Sequence, residues 1–344
     1  MKILIVKLGA MGDVLRTTPL LQAYRRTYPG CRIDWVVEKP NAVVLENNPN
    51  IDRLMMWSEE TLQFIRNEHY DLAINLDKEP EALDSIEAAN ADVKKGFGWD
   101  AARKRETYLN DASRYAVQLG IDDDLKFRTN RKTYQQISYE QVELPYEFDD
   151  YQLYLTEADQ QYADNHLKDL GFDFNHQMLF GINTGSGHRF AGKRLPEQSV
   201  AELAAMFHRQ SGQRVLLLGG PDEHDRNQRI EKMCPEFAVN AGTRHSIRQF
   251  AGLVKRLGLV VSGDTIAMHI AIAVKTPVLA FFGSTCEPEI ELYGRGRTVR
   301  TSVECAPCYK RNCPTNEECM SGFGMEDFYR MSNDILKQHS GSNA

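Results

Sequence analysis

The sequence predicts an α/β protein made of two doubly wound, Rossmann-like domains, each on a parallel sheet, with the carboxyl edges of the sheets facing across a cleft. Three observations carry this prediction. Short apolar runs without alternation, at 3–8, 70–76, 178–183, 214–220 and 257–262, read as strands buried on both faces. Segments with helical spacing separate them, which implies crossover helices and parallel pairing. The rhythm runs twice, on either side of an aperiodic charged and aromatic stretch over 122–154, and 344 residues exceed one ordinary core. The first domain is therefore expected over 1–155 and the second over 156–344, with a C-terminal helix packing back on the first.

Composition narrows the class. Apolar residues make up 42 % and charged residues 26 %, the balance of a soluble globular protein, and no apolar run is long enough to span a membrane. The chain starts on a strand rather than a leader peptide, which predicts a cytoplasmic location. A net charge of −7 argues against a general nucleic-acid binder, so no nucleic acid is expected as a partner. Seven cysteines, an odd number with four crowded between Cys305 and Cys319, differ from a secreted disulfide framework.

Along the first half, the strand over 3–8 is broken by Gly9 and Gly12, and Leu15, Leu20, Leu21 and Tyr24 then recur with helical spacing. Strands follow at 32–38 and 70–76, a helix at 81–89, and a basic stretch from Lys94 to Arg105. The second half opens with a helix from Thr156 to Leu170, where Asp159 three residues after Thr156 resembles a capping box. Helices at 197–211, 223–233, 246–255 and 265–274 then alternate with strands at 178–183, 214–220, 257–262 and 276–283.

Four stretches carry chemistry. Asp13 stands where the first strand hands over to its helix, at the edge where open α/β sheets bind ligands. It is either an N-cap or a site carboxylate, and the two glycines beside it favour the site. The loop from Asn183 to Pro196 holds glycines, hydroxyls, Lys193 and Arg194 before a helix, a composition suited to an anion with several oxygens. It has neither Walker nor dinucleotide-fingerprint spacing. Asp222 or Glu223 can accept from ribose hydroxyls or cap the next helix, and Asp264, Thr265 and His269 form a third strand-to-helix turn. All three elements of the second half lie at strand ends of one domain, which points to a diphosphate.

The turn Gly9-Ala-Met-Gly-Asp13 ending at Thr18-Pro19, the loop Thr184-Gly-Ser186 with Lys193-Arg-Leu-Pro196, Gly219-Gly-Pro-Asp-Glu223, Asp264-Thr-x-x-Met-His269 and Phe282-Gly-Ser-Thr285 occur in this order. Together they resemble glycosyltransferase family 9, the family of the lipopolysaccharide heptosyltransferases, over nearly the whole chain. The resemblance implies the GT-B fold, a nucleotide-sugar donor (an ADP-heptose) held by the second domain, and a lipid-linked or core oligosaccharide acceptor at the first. It implies transfer with inversion and no cofactor for catalysis. Asp13 matches the general base and Lys193 the cation that meets the leaving diphosphate. Thr184, Gly185, Ser186, Arg194, Asp222, Glu223, Asp264, Thr265 and His269 match the donor site. Ile266 stands where many members have glycine.

On the acceptor side, Gly12 and the basic residues Lys94, Lys95, Arg103, Lys104 and Arg105 are the candidates for an anionic acceptor. Cys305, Cys308, Cys313 and Cys319 have ligand-like spacing, and a structural zinc site, free thiols and disulfides are the three readings. The expectation is an inverting glycosyltransferase moving a heptose from ADP-heptose to a lipopolysaccharide core or other envelope saccharide, peripheral on the inner face of the cytoplasmic membrane. An epimerase-like sugar-nucleotide enzyme and a non-catalytic nucleotide-sugar-binding scaffold are the alternatives on the same fold.

Overall fold

In the computed structural model, which describes residues 1–174, 176–187, 191–212 and 214–340, strand β1 (Lys2–Val6) leaves Ile3, Leu4, Ile5 and Val6 with no exposed surface. It is covered on both edges and both faces. Parallel neighbours β2 (Arg32–Val37) and β4 (His69–Asn75) flank it, with Ile5 opposite Trp35 on one side and Ile74 on the other. With β3 (Arg53–Met56), β5 (Asn90–Asp100) and β6 (Arg105–Tyr108), the order is β3-β2-β1-β4-β5-β6, and only the β5–β6 pair is antiparallel. Leu4, Val6, Val36, Leu62, Ile65, Tyr70 and Ile86 form one core of this sheet.

The second sheet repeats that order. Strands β7 (Phe180–Asn183), β8 (Val215–Leu218), β9 (Ala238–Asn240), β10 (Leu259–Gly263), β11 (Val278–Phe282) and β12 (Gly296–Arg300) run β12-β11-β10-β7-β8-β9, all parallel. In both sheets the chain order reverses beside the first strand, between β1 and β4 and between β7 and β10. Such a reversal opens a crevice at the strands' carboxyl ends. One compact unit comprises Met1–Tyr154 and Pro288–Glu291, the other Leu155–Glu287 and the chain from Leu292 onward. Among the described residues no helix is long and apolar enough to cross a membrane.

Two elements differ from the expectation. The first helix is two, Met11–Thr17 and Pro19–Thr27, because Pro19 has no N–H to continue the first and starts the second instead. The aperiodic stretch over 122–154 contains the helix Tyr134–Val142, opened by a capping box between Thr133 and Gln136. Its buried side includes Gln135, Ser138 and Gln141 beside Ile137, Tyr139 and Val142, so no apolar stripe marks it in the sequence. The C-terminal helix Met325–Ser340 belongs to the second unit. Its Phe328 and Ile335, 0 % and 1 % exposed, pack with Phe207, Leu279 and Phe281 in the core of the second.

Candidate active site

At the β1 exit, the β4 loop grips the turn. Asp77 accepts from the backbone amides of Leu8 and Gly9, each at 3.1 Å, and pairs with the buried Lys7 ammonium at 3.2 Å. From the β2 side, Asn41 donates to the Leu8 carbonyl at 2.8 Å. Asp13 then falls in the first turn of the helix Met11–Thr17, whose N-cap is Ala10, so Asp13 does not cap that helix. Its side chain is 37 % exposed, and Oδ1 accepts from Arg16 Nη2 at 2.9 Å.

Arg16 is itself enclosed. Its guanidinium carbon lies 3.8 Å from the centroid of the Tyr134 ring, and Gln135 donates to its backbone carbonyl at 3.0 Å. Burial works against the charged form, and the Asp13 carboxylate, with Tyr134, Glu289 and Tyr151, outweighs it and raises the Arg16 pKa. Burial likewise opposes the charge on Lys7, and Tyr134, Asp13 and Asp77 overcome it. The Asp13 carboxylate therefore sits in the field of two cations. Lys7, Arg16, Asp77 and Tyr134 were not singled out in the sequence, since what gathers them is topology.

In the second unit a cavity of ≈ 300 Å³ opens at the carboxyl ends of β7, β8 and β10, the site the topology favours. Gly185, Ser186, Gly187, Gly219 and Gly220 line one part, with Asp222 and Glu223, and Thr265 and Ile266 lie across from them at the start of the helix Ile266–Ala273. His245, Ile247, Phe250 and Pro221 supply apolar and aromatic walls. Burial lowers the His245 pKa, which keeps the ring neutral at pH 7. Its Nδ1 meets the Tyr162 hydroxyl at 2.8 Å and its Nε2 the Ala241 carbonyl at 2.8 Å.

The predicted donor residues separate into two groups. Gly185, Ser186, Asp222, Glu223 and Thr265 line the cavity. Glu223 is 6 % exposed and accepts from the Gly220 amide at 2.9 Å, while Asp222 is exposed. Thr184 does not line it. Its side chain is buried, with the hydroxyl donating to Asn227 and to the Leu218 carbonyl, so its part is to anchor the loop. Arg226, which the sequence did not mark, ties the loop together, donating to the carbonyls of Thr184 and Leu195. Residues 188–190 of the loop lie outside the described residues.

Lys193, Asp264 and His269 form a separate charged group. Lys193 Nζ donates to Asp264 Oδ2 at 2.8 Å, and His269 Nε2 stands 4.0 Å from Asp264 Oδ1. Burial raises the Asp264 pKa, and Lys193 and His269 more than reverse this, leaving it below its ordinary value. Asp264 does not cap the next helix; Thr265 holds the N-cap position. Ile266 follows as the first helical residue, and its side chain is accommodated there.

The basic residues of the first unit are not one patch. Lys94 donates to the Glu87 carbonyl and Lys95 to the Val142 carbonyl, and Lys95 also pairs with Glu143. Arg103 and Lys104 lie in the turn beyond Asp100, and Arg105 on β6 pairs in register with Asp100, so these three are about 20 Å along β5 from Lys94. Cys305, Cys308, Cys313 and Cys319 form no disulfide, and among the described residues no three metal-ligating side chains are grouped to hold an ion. Cys313 turns to the Thr315 hydroxyl at 3.3 Å, and Cys319 packs against Gly283 and the hydrophobic core. Burial and the neighbouring thiols of Cys313, Cys308 and Cys305 push Cys319 up to about 11.

The geometry can be set beside known proteins. A lipopolysaccharide heptosyltransferase 1 from Pseudomonas aeruginosa is 27 % identical over 92 % of this chain and 90 % of its own length. The solved structure of a glycosyl transferase family 9 protein from Veillonella parvula matches with a TM-score of 0.79 at 20 % identity, covering 98 % of this chain and 97 % of that one. The structure of Escherichia coli ADP-heptose lipopolysaccharide heptosyltransferase II matches with a TM-score of 0.71 at 19 % identity, over 99 % and 100 %. These two likenesses show the GT-B fold. Residues 60–318 match the family described as glycosyltransferase family 9 (heptosyltransferase), so the chain belongs to that family and is a glycosyltransferase.

Proposed function

We propose that this enzyme transfers a heptose, with inversion, from ADP-heptose to a lipopolysaccharide core or another lipid-linked envelope saccharide. The carrying observation is the cavity at the β7–β10 reversal, where a rim of glycine amides and an apolar, aromatic wall stand in one concavity. That combination suits a nucleoside diphosphate: ring against Phe250 and His245, ribose against Asp222 or Glu223, phosphates on the amides of Gly185 to Gly187 and of the helix after Thr265. The names of the Pseudomonas and Escherichia coli relatives support heptose as the sugar and lipopolysaccharide as the acceptor.

In the proposed step an acceptor hydroxyl attacks the anomeric carbon. The new C–O bond forms as the bond to the diphosphate oxygen breaks, and the hydroxyl proton passes to the Asp13 carboxylate. A base within reach contributes roughly 10²–10⁴-fold. ADP departs with added negative charge, which Lys193 and Arg194 offset, so the chain's own cations serve the leaving group. Asp264 holds Lys193 until the diphosphate competes for it. Gly12, Arg103 and Arg105 are proposed on the acceptor side, where guanidinium groups suit anionic substituents. Work on a lipid-linked acceptor would bring the enzyme to the inner face of the cytoplasmic membrane.

A nucleotide panel tests this reading. ADP and ADP-heptose are expected to raise the thermal midpoint more than UDP, GDP or their sugar conjugates, because a ligand bound to the native state stabilises it by linkage. A larger shift with UDP would overturn the donor assignment while leaving the family intact. ADP release from ADP-heptose should further require a saccharide acceptor.

A further inference from the structure

Arg16 stands one helical turn beyond Asp13 with its side chain 14 % exposed. Besides its 2.9 Å bond to Asp13 Oδ1 and its stacking on the Tyr134 ring, the same Arg16 Nη2 has a second acid near it, Glu289 Oε2 at 4.0 Å. Glu289 comes from the segment Pro288–Glu291, which packs with the first unit although the chain before and after it belongs to the second. The segment is fastened there: Tyr134 N–H donates to the Glu289 carbonyl at 3.0 Å, and the Tyr146 hydroxyl donates to Glu291 at 3.2 Å. Tyr134 is held in turn by its hydroxyl, 2.9 Å from Thr17 Oγ1. The titratable groups around the Asp13–Arg16 pair are Lys7 at the end of β1, Asp77 behind it, Tyr134, Tyr151 and Glu289.

We propose that Arg16 is a positioning residue that holds the Asp13 carboxylate charged and in one orientation, and that Glu289 shares the same guanidinium and so sets how firmly Asp13 is held. This rests on the reading of Asp13 as the base. A guanidinium fixed at 2.9 Å favours the ionised carboxylate, and the Tyr134 ring limits the rotamers from which it can do so. A second anion at the same nitrogen weakens that hold. A base held too strongly is a poor proton acceptor, so a second acid on Arg16 tunes it back towards usefulness.

The test is the pH dependence of kcat/KM for wild type, Arg16→Met, Arg16→Lys and Glu289→Gln, with Asp13→Asn as reference. Removing the cation lets Asp13 protonate at higher pH. The acid limb of Arg16→Met is therefore expected to move up by about one to three pH units. Arg16→Lys keeps the charge and should leave the limb nearer that of wild type. Glu289→Gln gives Arg16 wholly to Asp13, so its limb should move the opposite way, to lower pH. Glu289→Gln also removes no ring contact and no helix packing, so it reports even where Arg16→Met unfolds. Limbs that stay in place in Arg16→Met and Glu289→Gln, with only a uniform loss of rate, would overturn the proposal. Full turnover by Asp13→Asn would instead overturn the base assignment beneath it.

Discussion

Lys193 and Asp264 form the charged pair on which the donor side of the account depends. Replacing Lys193 with Ala removes the cation proposed for the leaving group and leaves Asp264 without it. Transfer should fall by about 10²–10³-fold, measured as initial rate at saturating donor. Gly185 makes a second prediction. A Cβ there would stand 2.2 Å from Cδ of Glu223, so Gly185→Ala must dislodge Glu223 from its bond to the Gly220 amide. Weaker ADP binding in a titration, with little change in the thermal midpoint of the unliganded protein, is the expected outcome. Both residues were legible in the sequence because they lie in polar, glycine-bearing loops that leave apolar strands. Thr184 was legible in position and not in role, since the sequence does not reveal that Asn227 and the Leu218 carbonyl already occupy its hydroxyl. Arg16 and Tyr134 were not legible as a pair, because the elements that bring them together lie far apart in the chain, with Thr17 and its partner Tyr134 separated by 117 positions.

Elements were readable where their burial is one-sided or total. The strands β1, β7, β8, β10 and β11 are mostly apolar and were found, whereas β5 carries Lys94, Lys95 and Gly96 and was read only as part of a basic stretch. The helix Tyr134–Val142 escaped notice because it buries amides and a hydroxyl as well as apolar groups. The C-terminal helix makes a stability prediction. Phe328 has no exposed surface and lies against Phe281 and Phe323, with ring centroids 5.8 Å and 5.2 Å away. Phe328→Ala should destabilise the fold by about 3–5 kcal/mol in denaturant unfolding, the usual cost of emptying a large aromatic site. The turn after β10 makes a pH prediction. The folded Asp264 pKa is depressed, so its contribution is present above its unfolded value and is lost as pH falls through the folded one. Asp264→Asn should lower the thermal midpoint at neutral pH, with a difference from wild type that shrinks on acidification below about pH 4.

At the scale of the molecule, two sheets of one strand order present different residues at equivalent places. The reversal beside β7 leads into glycines and a concavity, while the reversal beside β1 leads into a carboxylate flanked by Lys7 and Arg16. The alternation of apolar runs and helical segments made the repeated architecture legible, since each central strand must be buried on both faces. It left the strand order to be found, because pairing depends on contacts between segments far apart in the chain. The division of labour is the central claim: nucleotide held by the second unit, proton removal by Asp13 in the first. Its most direct measurement is on Asp13→Asn, with ADP-heptose transfer and ADP affinity determined on the same preparation. The account predicts that transfer falls by about 10²–10⁴-fold while ADP affinity stays at the wild-type value. Turnover at the wild-type rate, or loss of ADP binding in step with transfer, would contradict it.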